Sequence, residues 1–417
     1  MRCEWTVSAR SALSPEGRNM TQAVPVTFST VRENYFNPPA STRELRKKEP
    51  IARMTFADGH LGWLVTGYSA ARAVLADPRF SARGELKHPP VPRAATLEES
   101  PAAPPGMFIQ HDDPEHQRYR KLLTGQFTVR RMRLLTEWIE KTTNEHLDAM
   151  QSQGSPADLF EHFALPLPSL VICELLGVPY ADREKFQHDT AVWSSFGRST
   201  EEVTGAFVSL GAYLHRLVTL KRSEPAEDIL SGLIAADPSL TDEELTSIAF
   251  LLLVAGHETT ANQIGLGLLA LFENPAQLAA LRADRSLVDG AVEELLRYLS
   301  IVHHGPTRAA LEDVEVEGVA IKADEVVMVS LAAANRDPAR FTDPERLDVT
   351  RNATGHLAFG HGIHQCLGQQ LARIELRVGL TALLDRFPGL RPAVPAHEVP
   401  LRHDMQVYGV YELPVAW

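Results

Sequence analysis

Phe359-Gly360-His361-Gly362-Ile363-His364-Gln365-Cys366-Leu367-Gly368 sets one cysteine in a glycine-punctuated loop directly ahead of a helix. Gly360 and Gly362 permit tight turns and positive φ, and Gly368 permits close backbone approach. Leu367, Leu371, Ile374, Leu376 and Leu380 follow with helical spacing. Cys366 is therefore expected near a helix N-terminus, where unpaired N–H groups and the positive dipole end lower a thiol's pKa without a neighbouring lysine. A thiolate held that way is a metal ligand, and haem iron is one metal it holds. Two other readings stand beside it. A lone cysteine is commonly a core residue, and His361, His364 and Cys366 form an H-x-x-H-x-C cluster that zinc accepts if a fourth ligand or a water completes it.

Outward from this loop, the 417-residue chain has room for two or three average domains or one large one. Its 44% hydrophobic and 23% charged content is that of a globular protein rather than a disordered one. No repeat and no glycine or serine linker divides it, so residues 22–417 are expected to form one domain behind a disordered tail, residues 1–21. Met20 is an alternative start. Cys3, Cys173 and Cys366 are too few and too far apart for a disulfide framework, which fits a reducing cytoplasm. Cys173 reads as ordinary helix packing. The longest wholly apolar run, Ile248 to Ala255, is well short of the roughly 17 to 25 residues of a membrane span, and the first nineteen residues lack the apolar core of a signal peptide. A net charge of −12 argues against nucleic acid as a partner. Against that acidic background Arg118, Arg120, Lys121, Arg130, Arg131 and Arg133 make a basic stretch, either a solvated helix face or a docking face for a small acidic protein.

The pattern is mainly α with a small β lobe. Residues 51 to 66, around Asp58-Gly59, read as a strand pair, and residues 311 to 331 as small hairpins. Nearly everything else has helical spacing. Thr241-Asp242-Glu243-Glu244 is a capping box and Asn274-Pro275 a stop. Between them runs a helix of about 32 residues, roughly 48 Å long, apolar around much of its girth and so expected to cross the middle of the molecule. Within it Ala255-Gly256-His257-Glu258-Thr259-Thr260 interrupts the apolar run. Burying those polar groups is costly unless each finds a partner. Gly256 and the threonine hydroxyls are expected to loosen the helix locally into a groove.

Three further segments carry candidate chemistry. Glu294 and Arg297, in Glu293-Glu294-Leu295-Leu296-Arg297, stand one turn apart, a spacing that also suits an ordinary surface ion pair. Arg308 follows His303-His304-Gly305-Pro306 into the β lobe. His116 and Arg120 share a helical face at i,i+4. With Arg308 and His364 they supply donors suited to two carboxylates.

These segments, in this order, resemble the cytochrome P450 family. The cysteine loop matches F-G-x-G-x-H-x-C-x-G, Glu294 to Arg297 matches E-x-x-R, Ala255 to Thr260 matches A-G-x-E-T-T, and Asn335-Arg336-Asp337-Pro338 and Phe341-Thr342-Asp343-Pro344 resemble the loop leading to the cysteine. The similarity runs from about residue 22 to the end of the chain. It implies the cytochrome P450 fold, with the long central helix over haem b. Cys366 would be the axial thiolate, Phe359 would pack on the thiolate side, and Gly360 and Gly368 would shape the loop. His116, Arg120, Arg308 and His364 would hold the propionates. Glu294, Arg297 and Arg351, or Arg346, would fix the loop. Ala255 and Gly256 would border the oxygen groove, Thr259 would hydrogen-bond the activated dioxygen, and Glu258 would relay protons. His257 and His361 fall at variable motif positions and read as structural. The pair His303-His304 departs from the apolar residues common there.

The same resemblance implies a cytoplasmic, monomeric monooxygenase that hydroxylates or epoxidises a mid-sized, mostly apolar molecule, a macrolide, terpenoid, steroid or foreign compound. The pocket would draw on the span Pro89 to Met107 as a mobile lid, on Trp193, Phe196, Leu252, Ile301, His303 and His304, and on Met405 and Val407. The chain has no flavin or iron–sulfur segment of its own. Electrons from NAD(P)H would then arrive through a reductase and a small acidic ferredoxin docked near Arg118 to Arg133 and Arg373. An oxidative coupling enzyme on the same scaffold and a non-catalytic haem sensor are the alternatives. The Glu258-Thr259 pair favours oxygen insertion over both.

Overall fold

The helix Asp242–Phe272, 31 residues long, is the axis of the molecule. Its start is the expected capping box: the Glu244 amide donates to Thr241 Oγ1 at 3.1 Å, and the Glu244 carboxylate accepts from the Thr241 amide at 2.7 Å. Its end precedes Pro275, the first residue of the helix Pro275–Ala283. Leu245, Ile248, Ala249, Leu253, Ala261, Leu266 and Leu269 have no solvent exposure. Each such leucine or isoleucine stabilises the fold by about 1.5–3 kcal/mol. The helices Pro166–Leu176, Thr200–Ser223, Val288–Leu299 and Gln369–Arg386 pack around this axis. Thr200–Ser223 has the length and hydropathy of a membrane span, yet one side of it lies against the central helix.

The computed structural model describes residues 25–32, 34–92 and 102–417. The expected N-terminal tail, with Cys3 and Met20, and residues 93–101 of the expected lid lie outside the described residues.

One sequence expectation fails in the central helix. Instead of widening at Gly256, the helix runs on as regular α-helix through Thr260. The Thr259 hydroxyl is satisfied inside the helix, donating to the Ala255 carbonyl at 2.7 Å. Gly256 serves packing: a Cβ there would fall 2.7 Å from Ile172 Cδ1 on the neighbouring helix.

The β lobe is a six-stranded sheet in the order Val26–Thr27, Ile51–Thr55, Leu61–Val65, Val326–Val329, Thr307–Ala310, Phe80–Ser81. The expected strand pair is present with Ile51 opposite Val65 and Thr55 opposite Leu61. Val326–Val329 lies between parallel Leu61–Val65 and antiparallel Thr307–Ala310 rather than closing a hairpin, so Arg308 is fixed opposite Val327 in the sheet. Val314–Val316 and Val319–Ile321 form the small hairpin.

Candidate active site around Cys366

The cysteine loop is shaped by its backbone. The Cys366 amide donates to the Phe359 carbonyl at 2.9 Å and the Gly360 amide to the Leu357 carbonyl at 2.9 Å. Gly360 and Gly362 take φ of 72° and 75°, a left-handed conformation that favours glycine. Gly362 has a second reason to lack a side chain, because a Cβ would lie 2.2 Å from the Leu75 carbonyl oxygen. Gly368 differs from expectation: its φ is −81° and nothing crowds its Cβ position. It caps the helix Gln369–Arg386, and its N–H points at the Cys366 sulfur. The thiol also departs from the sequence reading. Burial pushes it up, and the Gly368 N–H, Arg120 and Arg373 pull it back only in part. Without a metal the helix terminus alone does not make this sulfur a thiolate.

Glu294 and Arg297 are not a surface pair. Both are fully buried, and Arg297 grips Glu294 with two bonds, Nε to Oε2 at 2.7 Å and Nη2 to Oε1 at 2.9 Å. Arg351 Nε donates to Glu294 Oε1 at 3.1 Å, whereas Arg346 joins only through its carbonyl. Arg297 Nη1 reaches the carbonyls of Asn335 and Pro344 at 2.9 Å. Asn335 Oδ1 in turn accepts the Leu357 amide at 2.6 Å. A chain of buried bonds thus runs from Glu294 to the residue two before Phe359. The sequence reading placed Asn335 in the loop leading to the cysteine but not in this network, whose partners are set by the fold.

A second cluster is basic, with one ion pair among its members, His116 Nδ1 to Asp113 Oδ1 at 3.2 Å. Arg120 Nη2 donates to the Gln365 carbonyl at 2.5 Å, and the His116 and His364 rings lie 4.1 Å apart. His116 Nε2 and His364 Nδ1 are buried without partners. Among the described residues the Arg308 guanidinium donates only to the Thr307 carbonyl beside it. Burial pushes Arg308 down to about 10. Burial, then Arg308, His116, Lys87 and Arg120, pushes His364 down to about 2. Lys87, which the sequence reading missed two residues ahead of the proline-rich span, is pushed to about 7 by burial and then by Arg308. Its ammonium makes no hydrogen bond or ion pair among the described residues. Arg308, Lys87 and His364 have no ion pair among the described residues, and such desolvated basic groups are costly unless an anion is seated among them.

The central helix offers the opposite wall. Ala255 is exposed and Thr259 half-exposed midway along a helix otherwise largely buried. Glu258 is buried, and its carboxylate accepts from Arg402 Nη2 at 2.8 Å. Arg402 lies 144 residues away and carried no signal in the sequence. His257 is buried, with Nδ1 against the Leu253 carbonyl at 2.8 Å, and His361 is half-exposed. No group of three or more His, Cys, Asp or Glu among the described residues is arranged to hold a metal ion, so the H-x-x-H-x-C cluster is not assembled.

The expected pocket residues fall into two groups. Phe196 stands 6.4 Å from His303 and 6.1 Å from His304 between ring centroids, Met405 pairs with Ser195, and Val407 pairs with Val302 next to Ile301. Trp193 packs edge-on at 5.8 Å to Phe250, which stands two residues before half-buried Leu252 on the central helix. Met107 is drawn instead to the start of the central helix, because Gly106 fits against the Glu244 backbone. The basic stretch is also partly used inside the molecule. Arg118 binds Glu244 at 2.6 Å, Arg131 binds Gln126, and Arg373 binds Glu293, leaving Lys121, Arg130 and Arg133 exposed.

Comparison with known proteins decides the family. The family model "Cytochrome P450" matches residues 212–392. Cytochrome P450 105C1 of a Streptomyces species is 70% identical over 398 residues, spanning 95% of this chain and all of that one. The chain belongs to the cytochrome P450 family. Pentalenic acid synthase of Streptomyces avermitilis, another relative, is 45% identical across 95% of this chain and 98% of its own. The crystal structure of CYP105P1 in complex with filipin I superposes with a TM-score of 0.88 at 44% identity, covering 94% and 99% of the two chains. The protein is thus a cytochrome P450 monooxygenase, a family whose members hold haem through a cysteine thiolate and use dioxygen. The residues present fit such a group. The orphaned nitrogens of His116 and His364, beside Arg308 and Lys87, are what a dicarboxylate would satisfy.

Proposed function

We propose that residues 22–417 form one catalytic domain that inserts an oxygen atom into a mid-sized, mostly apolar natural product or foreign compound by hydroxylation or epoxidation. The observation that supports the site most strongly is the cluster of buried basic groups with unpaired ring nitrogens flanking the Cys366 loop. In this reading Cys366 ligates haem b, and His116, Arg120, Arg308 and His364 hold its propionates, with Lys87 as an added cation. Phe359, Gly360 and Gly368 shape the thiolate side. When bound, the haem supplies the chemistry of dioxygen activation. The chain's own residues orient and supply protons. Thr259 holds a hydroxyl at the uncovered stretch of the central helix, Glu258 brings a carboxylate to the same turn, and the small exposed Ala255 keeps that wall low, while Gly256 lets the helix seat against Ile172. Glu294, Arg297 and Arg351 secure the loop.

Trp193, Phe196, Leu252, Ile301, His303, His304, Met405 and Val407 form the substrate wall. A relative named for pentalenic acid synthesis and a solved structure holding filipin I support a terpenoid-like or macrolide-like substrate. The intact Glu258-Thr259 pair favours oxygen insertion over oxidative coupling or sensing. Electrons come from NAD(P)H through a reductase and an acidic ferredoxin, and the protein works as a cytoplasmic monomer. The test is spectral. Purified protein should be red and show a thiolate-type reduced-CO Soret band, which Cys366→Ala abolishes; a band that survives that replacement overturns the reading.

A further inference from the structure

Two buried ion pairs in this molecule are built differently. Arg297 holds Glu294 with a two-bond fork and spends Nη1 on two carbonyls. Arg402 holds Glu258 with one bond, Nη2 to Oε1, and leaves Nε buried without a partner. The fork is the stronger and more directional arrangement. The Arg402 pair, buried but slightly less completely, with side chains 7% and 6% exposed against none for Arg297 and Glu294, is the one suited to opening.

Arg402 sits at the base of a hairpin whose strands meet at Leu401 and Val410, with the Arg402 amide bonded to the Gly409 carbonyl at 3.0 Å. The base presses on the central helix. A Cβ at Gly409 would lie 1.9 Å from Asn262 Oδ1, and Asn262 Nδ2 donates to the Glu258 carbonyl at 2.8 Å. The far end of the hairpin is tied to the proposed substrate wall. The Gln406 amide donates to Ser194, the Phe196 amide to Asp404 and the His303 amide to Gln406 through their carbonyls. His303 Nε2 also faces the Arg402 carbonyl at 3.3 Å. Met405 and Val407, three and five residues beyond Arg402, therefore cannot be pushed aside without moving the backbone that holds its guanidinium.

We propose that Arg402 is the positioning residue for Glu258, keeping its carboxylate away from Thr259 until a bulky occupant of the pocket displaces the hairpin. In the closed pair Glu258 has Arg402 as its one hydrogen-bonded side-chain partner among the described residues, and Thr259 is turned to its own helix. Opening the pair costs free energy that the occupant supplies through its contacts, so occupancy and release of the acid are linked. The inference rests on the function proposed above.

The test uses the haem-loaded full chain with two probes, imidazole and the much bulkier miconazole, followed by the Soret shift. Arg402→Gln should tighten miconazole binding roughly 3- to 10-fold and leave imidazole within about 1.5-fold, because only the larger probe has to open the pair. Glu258→Gln should do the same, and the double variant should tighten no further than either single one. Arg402→Lys should return miconazole binding toward wild type. NADPH oxidation through a plant-type ferredoxin and its reductase, run in H2O and D2O, should give Arg402→Gln the altered solvent isotope effect of Glu258→Gln. Should Arg402→Gln fail to load haem, the double variant, which leaves no unpaired charge, is compared with wild type on both probes. Equal shifts for the two probes, additive effects, or an unchanged miconazole Kd would overturn the proposal. A wild-type protein without the thiolate band would count instead against the proposed function.

Discussion

Gly362 faces two constraints at once, a φ of 75° and a carbonyl oxygen 2.2 Å from where a Cβ would stand. Gly362→Ala should therefore destabilise the protein by about 1–3 kcal/mol and lower the haem content on purification, measured by thermal unfolding and by the Soret-to-protein absorbance ratio. Gly360→Ala, strained in φ with open space around it, should cost less. Glu375 is a different case, 2% exposed with Oε2 meeting no donor, so burial raises its pKa well above the ordinary carboxylate range. The folded protein then holds this proton more tightly than the unfolded chain does. The resulting stability is present below the unfolded pKa of about 4.3 and is lost as pH rises through the raised value. Glu375→Gln should flatten the fall in Tm as pH rises above the unfolded carboxyl pKa of about 4.3, and an unchanged slope would show that this carboxyl does not titrate with unfolding. At Thr259, Thr259→Ala should keep NAD(P)H consumption while diverting it to peroxide, read as product formed per NAD(P)H.

Among the elements, the segment from Glu294 to Phe359 behaves as one mechanical unit, because Arg297, Asn335 and Arg351 join a helix to the cysteine loop through buried bonds. Removing Glu294 leaves two arginines uncompensated. Glu294→Ala is expected to cost about 3–5 kcal/mol and to yield protein without stable haem, checked by denaturant unfolding and pigment content. The motif E-x-x-R was legible because both partners lie one turn apart on one helix. Asn335 and Arg402 were not, since their partners are set by tertiary approach over 22 and 144 residues. The capping box at Thr241 and the stop at Pro275 placed the central helix almost to the residue, for such signals are local chemistry. The expected bulge at Gly256 failed for the converse reason. Whether a helical glycine loosens the helix or admits a neighbour depends on Ile172, which the local sequence cannot reveal.

For the whole molecule, a net charge of −12 makes the exposed basic residues Lys121, Arg130 and Arg133 a local exception. If an acidic ferredoxin docks there, turnover should fall steeply as ionic strength passes about 0.1 M, where the Debye length shrinks to about 10 Å. The double variant Lys121→Gln/Arg133→Gln should flatten that response, and a salt response identical to wild type would move the docking face elsewhere. The basic stretch was visible from composition, but not which members were free. Arg118 is committed to Glu244 and Arg373 to Glu293 through folding contacts that a charge count does not contain.

The wedge of Gly362 against the Leu75 carbonyl has a temporal side. During synthesis Leu75, Arg120 and Glu294 leave the ribosome long before Cys366, so the receptor is largely translated before the segment that carries the sulfur emerges. Pigment insertion is therefore a late event in biogenesis, and cells starved of iron should accumulate a nearly finished, colourless chain.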